Sequence, residues 1–444
     1  MYVRNTSQVL AKRLAENRSF IQIVIGPRQT GKTTAIRQAV QASGRPFRVA
    51  NADGITVPPL AWVETEWMQA RALATSDTPA ILVLDEIQKV DGWSEVVKRL
   101  WDEDTWSGTN LLVVLSGSSS LLLKEGYAES LAGRFELVRS THWSLTEMEE
   151  AFGYSYEDYL LFGGYPGASR LRDDYERWLE YMRDSIIEAT ISRDILQMEE
   201  VRKPALLRSL FLLGTHYSAQ ELSYRKVLGQ LDDKGNVSTL AHYLRLLDDA
   251  GLLSGLTKFD RSEAKGAGSS PRFLVYDPSL MTAAWSDPID TLLDDPTNRG
   301  HLVESAIGSY LLAQSQVRGF DLRWWREGTS EVDFVARKAL PSWVSMQHSH
   351  FYRRQRLRQQ PPRAGKVPEP FLRSHGVYSL RNRTLCGGYV LLGRVRRSLQ
   401  RPGGKSPSDR GCDSGERGRR RQFPADRKGL QKTDGTASLI AAGK

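Results

Sequence analysis

Gly26-Pro27-Arg28-Gln29-Thr30-Gly31-Lys32-Thr33 decides the fold, because it fits the phosphate-binding pattern G-x-x-x-x-G-K-[ST] in a context where that pattern works. The apolar run Phe20 to Ile25 before it reads as a buried strand, and Thr34 to Ala42 after it carries helical spacing. In a strand–loop–helix unit the loop amides and the positive end of the helix dipole face a polyphosphate. Lys32 is then placed to reach the β and γ phosphates, and Thr33 to offer its hydroxyl to Mg²⁺. The candidate nucleotide-binding residues are Gly26, Pro27, Arg28, Gln29, Thr30, Gly31, Lys32, Thr33 and Thr34.

A second stretch strengthens this reading. Ala80-Ile81-Leu82-Val83-Leu84 is another buried parallel strand, and Asp85-Glu86 stands at its C-terminal end, where open α/β sheets bind ligands. Asp85, 53 residues after Lys32, fits the residue that holds Mg²⁺, usually through water. Glu86 fits the base that polarises an attacking water. A third strand, Leu111 to Leu115, runs into Ser116-Gly117-Ser118-Ser119. Ser116 is a candidate contact to the γ-phosphate or the attacking water; a plain Gly/Ser turn is the alternative. Leu131-Ala132-Gly133-Arg134 offers an arginine suited to act as a finger on the transferring phosphate, with a structural arginine as the competing reading.

These motifs resemble those of the prokaryotic AAA-type P-loop ATPases, related to archaeal ATPases and signal-transducing NTPases, that carry a C-terminal domain of unknown function resembling restriction endonucleases. The resemblance runs from about residue 15 to 338. Beyond the stretches above it rests on Ile87-Gln88-Lys89, Gly163-Gly164-Tyr165-Pro166, Ser192-Arg193-Asp194-Ile195, Tyr276-Asp277-Pro278-Ser279-Leu280 and Glu331-Val332-Asp333-Phe334-Val335. It implies ATP and Mg²⁺ as cofactors, and an Arg134 that acts on a neighbouring subunit in a homo-oligomer. It does not identify the protein partner.

Composition narrows the partners. The 444 residues carry a net charge of +9, but residues 339–444 hold 23 lysines and arginines against 6 acids. That segment is +17 and residues 1–338 are −8, so the body gives no electrostatic case for broad phosphate-backbone binding. There is no run of 18 apolar residues and Met1 to Arg18 lacks a signal-peptide core, so no membrane association is expected. Cys386 and Cys412 are the only cysteines, which excludes a disulfide framework and makes the cytoplasm the simplest expectation.

Residues 143–204 read as a helical lid or connector broken at Gly163-Gly164, with Arg193 and Asp194 as a structural ion pair. Residues 205–276 suggest a winged helix. Its helices would run Ala205 to Tyr217, Ser218 to Leu231, and from Asn236 or Ser238 to a stop at Gly251, with strands Leu252 to Phe259 and Arg272 to Tyr276. Asp248 and Asp249 at the end of the third helix favour a protein contact over DNA. Glu304 and Asp333 match the start of an endonuclease-like core in 277–338. No Glu-x-Lys follows, however, and they read as a structural remnant. Residues 339–444 are basic and of low complexity, read either as a disordered tail after a changed reading frame or as a basic arm for nucleic acid.

The fold expected is an α/β P-loop NTPase domain with a parallel sheet over 1–142, followed by the helical connector, the winged-helix-like module, an incomplete endonuclease-like domain and a disordered basic tail. The function expected is Mg²⁺-dependent ATP hydrolysis driving a molecular switch. An ATP-fuelled DNA-acting enzyme and a winged-helix transcription regulator are the rivals, with nuclease activity disfavoured by the missing Glu-x-Lys.

Overall fold

The computed structural model describes residues 2–338 apart from 56, 76, 119–129, 197–199, 232–235, 261–265, 267, 268, 286–288 and 329, together with the strands Tyr389–Leu392 and Arg396–Arg397. Five parallel strands, β1 (Ile21–Gly26), β2 (Phe47–Asn51), β3 (Ala80–Asp85), β4 (Leu111–Ser118) and β5 (Phe135–Arg139), form one sheet in the order β2-β3-β4-β1-β5. Helices α1 (Asn5–Ala15) and α2 (Lys32–Ala42) bury Leu10, Leu14, Ile36 and Val40 against Val24, Val83 and Val114 on one face. On the other, α3 (Pro59–Arg71) and α4 (Trp93–Ser107) bury Val63, Trp67, Val97 and Trp101 against Ile23, Leu82 and Leu115. With both faces covered, β1, β3 and β4 are buried at every position, which is why they read as mainly apolar runs. Edge strand β2 alternates between exposed and half-buried positions.

A helical block follows: α5 (Leu145–Phe152), α6 (Tyr156–Phe162) and α7 (Tyr175–Glu180), the last continuing into π-helical stretches Tyr181–Glu188 and Ile191–Ile195. Ser144 and Ser155 open α5 and α6 with capping boxes, and Gly163 ends α6. One apolar core then runs from Trp143 to Ala306, so the connector and the segments after it share a single interior. Asp277 ties them together. Its carboxylate accepts the Gly164 N–H at 2.7 Å and both the N–H and hydroxyl of Ser279. Two of the sequence motifs, Gly163-Gly164 and Asp277-Pro278-Ser279, are thus halves of one clasp.

Gly163 has a φ of +64° and a Cβ there would lie 1.8 Å from Asp277 Oδ1. Gly163→Ala is expected to lower stability by about 3 kcal/mol, from the clash and the left-handed backbone together. Urea unfolding of the variant beside wild type measures it; equal midpoints would remove the clasp from the account of stability.

Three helices, α8 (Pro204–His216), α9 (Tyr224–Gln230) and α10 (Val237–Asp249), precede the antiparallel pair β6 (Leu253–Leu256) and β7 (Arg272–Val275). The expected helix from Ser218 to Leu231 is corrected: only Tyr224–Gln230 is helical, capped by Ser223. Ala219 has a positive φ of 61° that a helix cannot hold, and residues 219–222 bond along β7 instead.

After α11 (Ser279–Thr282) and α12 (Ile289–Leu292), the 23-residue α13 (Pro296–Arg318) packs on the antiparallel strands β8 (Phe320–Glu327) and β9 (Ser330–Lys338). Strands β10 (Tyr389–Leu392) and β11 (Arg396–Arg397) also pair antiparallel with β9. Within the segment read as a disordered tail, Tyr389-Val390-Leu391-Leu392 is an apolar run that extends the sheet. The rest of that segment lies outside the described residues.

Candidate nucleotide-binding site

The phosphate loop joins β1 to α2 at the C-terminal edge of the sheet. Gly26 is required by close approach, because a Cβ there would sit 1.9 Å from the Ser140 carbonyl oxygen. Gly31 (φ +84°) and the non-glycine Gln29 (φ +61°) adopt left-handed backbone within the loop. Such outliers persist where surrounding contacts over-determine them. Here Thr30 is the anchor. Its hydroxyl donates to Pro27 O, and its carbonyl accepts from Trp143 Nε1 at 2.9 Å and from buried Arg4 at 3.2 Å. Arg4 also donates to the carbonyls of Thr141 and His142 and pairs with Glu147, so it fastens the loop to the connector.

The buried ammonium of Lys32 donates to Gly26 O at 2.9 Å and Pro27 O at 2.7 Å, leaving its third N–H for an anion. Burial pulls its pKa down, while Glu86, Asp194 and Asp85 act to keep it charged. Thr33, in the first turn of α2, donates its hydroxyl to Asp85 Oδ2 at 2.9 Å. Ser116 at the end of β4 donates to Asp85 Oδ1, which also accepts the Glu86 N–H. The sequence-predicted pair Thr33 and Asp85 is therefore together, with Ser116 as a third member bound to Asp85. An oxygen donor set with one carboxylate and a hydroxyl suits Mg²⁺, which keeps several waters and shares phosphate oxygens.

Glu86 takes a left-handed backbone (φ +56°), and its carboxylate accepts from Gln88 Nε2 at 2.7 Å. Arg28 lies between two acids: its Nε donates to buried Asp194 at 2.6 Å and its Nη2 is 4.0 Å from Glu86. Asp194 was expected to be a structural ion pair with Arg193. Its partner is Arg28, in the loop itself.

Arg134 is not brought to this loop. Its carbonyl accepts from Ile21 N–H at the start of β1, about 17 Å along the strand from Gly26, and its guanidinium pairs twice with Asp102. Glu304 and Asp333 converge with Glu331 on buried Arg272, whose guanidinium lies 2.6 Å from Glu331, 2.8 Å from Asp333 and 3.8 Å from Glu304. Among the described residues no group of three or more His, Cys, Asp or Glu could hold a metal ion. No helix among them is long and apolar enough to cross a membrane.

Residues 18–149 match the family model of an AAA domain. Residues 153–291 match a domain of unknown function, DUF8612. An uncharacterized protein of Mycobacterium tuberculosis is 27% identical over 284 residues, 63% of this chain and 59% of that protein, so the chain spans under two thirds of that relative's length. An uncharacterized protein of Methanocaldococcus jannaschii is 25% identical over 336 residues, 71% of each. Among solved structures, the RuvB Holliday junction branch migration motor of Thermotoga maritima is similar at 16% identity, covering 56% of this chain and 88% of that one (TM-score 0.31). The Orc1 protein of Aeropyrum pernix, in complex with DNA, is similar at 14% identity over 64% of this chain and 94% of that one (TM-score 0.28).

The AAA match runs into α5, the first helix of the connector, and His142 sits just before that helix. It is buried, shares a 2.9 Å hydrogen bond with Tyr165, and burial pushes its pKa down to about 3, with Arg4 and Lys32 adding to the effect. The folded state thus keeps His142 neutral while the unfolded chain protonates it below about 6.5. Stability from this group is complete above that pH and falls on acidification toward 3, by about 1.4 kcal/mol per pH unit. In His142→Gln the loss of stability from pH 7 to pH 5 is expected to shrink by one proton's worth. Urea midpoints at both pH values check this, and an identical pH slope would rule it out.

Proposed function

We propose that this protein binds ATP with Mg²⁺, hydrolyses it, and works as a nucleotide-driven molecular switch. The observation that carries the reading is Asp85, held between Thr33 and Ser116 beside Lys32 and Glu86. The AAA match over residues 18–149 supports the coarser part, nucleotide binding and hydrolysis.

In this reading the loop amides and Lys32 receive the β and γ phosphates. Thr33 and Asp85 hold Mg²⁺, which when bound offsets phosphate charge. Ser116 keeps the Asp85 carboxylate aimed, and Glu86 accepts the proton of the attacking water. Positioning and electrostatics are what phosphoryl transfer needs most from a protein.

The switch reading is supported by two contacts made by neighbouring loop residues. Arg28 bonds to Asp194 of the connector, and Gly251, at the stop of α10, packs so closely on Pro27 that an added Cβ would lie 2.7 Å from its Cγ. Asp248 and Asp249 line a cavity of about 150 Å³ with Gly26, Pro27 and Arg139. That arrangement favours an internal contact for the acidic end of the third helix over DNA reading. We read α8 to α10 with β6 and β7 as a winged-helix-like relay. We assign no nuclease step to Glu304 and Asp333, which serve Arg272.

Arg134 lies far from its own chain's loop, so a finger role requires a neighbouring subunit. ATP turnover per subunit of the full chain is expected to rise with protein concentration, and Arg134→Ala to bind ATP but turn over at least about 10³-fold more slowly. Asp102→Ala breaks the same ion pair while leaving the arginine, and should retain turnover. If both variants lose activity alike, Arg134 is structural; if the wild-type chain shows no Mg²⁺-dependent turnover, with or without DNA, the ATPase reading fails.

A further inference from the structure

Resting on the ATP reading above, we propose that Arg28 distinguishes a nucleoside triphosphate from a diphosphate, and that Asp194 is the internal anion it must leave to do so. Arg28 belongs to the phosphate loop, yet its guanidinium points to the connector, where Nε donates to Asp194 Oδ2 at 2.6 Å. The side chains are 19% and 4% exposed, so the pair is largely withdrawn from water. The other end of the guanidinium reaches within 4.0 Å of Glu86, the residue beside Asp85. Arg28 is therefore at the end of the site where the last phosphoryl group and the attacking water belong.

Asp194 also interacts electrostatically with Lys32 and Lys89, and Arg193 faces Lys89. The Asp194 carboxylate thus lies among the cations of the site, as Glu86 and Asp85 do, but it is the one supplied by the connector. A guanidinium withdrawn from water needs an anion, and a phosphate oxygen pair suits its planar fork at least as well as a carboxylate. With Asp194 and Glu86 already on either side of Arg28, a further anion there meets like charge from both, and it is the connector's Asp194 that can withdraw. A triphosphate reaches Arg28 and displaces Asp194; a diphosphate stops one phosphoryl group short and leaves the pair intact. Asp194 stands in a π-helical turn, Ile191–Ile195, a geometry frequent at functional positions. Its release hands the nucleotide state to the connector.

Linkage makes this testable, because whatever the triphosphate breaks must oppose its binding by the same factor. Affinities of a non-hydrolysable ATP analogue and of ADP, both with Mg²⁺, are measured by calorimetry on the full chain. In Asp194→Asn the triphosphate-to-diphosphate affinity ratio is expected to rise about tenfold, within the usual range of coupling. In Arg28→Ala the ratio falls about tenfold, and the double variant follows Arg28→Ala. Should Asp194→Asn fail to fold, Arg28→Lys carries the test, since it keeps the charge, loses the fork and should lower the ratio. Both nucleotides bound with one ratio in every folded variant overturns the assignment alone. Wild type binding neither overturns the ATP reading and the assignment with it.

Discussion

Lys32→Ala is expected to lose at least about 100-fold in Mg²⁺-ATP affinity, the worth of one strong charge-assisted contact. The ammonium already gives two of its donors to Gly26 and Pro27 carbonyls, so it is fixed in the mouth of the loop rather than free on a flexible stem. Its removal withdraws a buried charge whose desolvation opposed folding, and the variant should therefore remain folded. Calorimetric titration of the folded variant, checked by circular dichroism, measures the effect. Wild-type affinity would sink the site assignment.

Glu86→Gln should separate binding from chemistry. The amide keeps the shape and can still accept the hydrogen bond from Gln88, but it cannot take a proton from water. A positioned general base contributes about 10² to 10⁴ in rate, so turnover should fall by that factor while ATP still binds. Asp85→Asn should behave differently and weaken Mg²⁺-dependent binding. Both Asp85 oxygens accept hydrogen bonds, from Thr33 on one side and Ser116 and Glu86 N–H on the other, and an amide nitrogen would face one of these donors. Single-turnover assays with radiolabelled ATP measure all three proteins. Unreduced turnover in Glu86→Gln would pass the role to another residue.

The residues legible in the sequence are those whose roles depend on local pattern. Strands β1, β3 and β4 are buried on both faces, so their letters are mainly apolar, Gln22 of β1 being the one polar residue before the strand ends. Asp85 and Ser116 follow as the first polar residues at the ends of two such strands, and Thr33 follows from the loop pattern. The residues that were not legible have distant partners: Arg4 with Glu147, Arg28 with Asp194, Gly164 with Asp277, and Arg272 with Asp333. A lone Asp or Arg looks the same whether it solvates a surface or closes a clasp 113 residues away. Matching family motifs at 163–166, 192–195 and 276–280 mark Gly164, Asp194 and Asp277 without saying what they touch. The helix α9 starts at Tyr224 rather than Ser218 for a related reason, since pairing of 219–222 with β7 overrides local helical preference.

The clasp at Asp277 also sets an order of events during synthesis. Gly164 cannot acquire its carboxylate partner until another 113 residues have been made, which at ribosomal speed takes about 6 to 23 seconds. The parallel sheet closes within the first 139 residues, and its phosphate loop gains Asp194 only later, from the connector. For that interval the nascent chain carries a nearly finished parallel sheet on an unfinished helical block, and Trp143, Tyr159 and Tyr165 lack much of the core that later covers them. A chaperone that holds exposed aromatic segments has its window there, before Arg28 has its Asp194 partner.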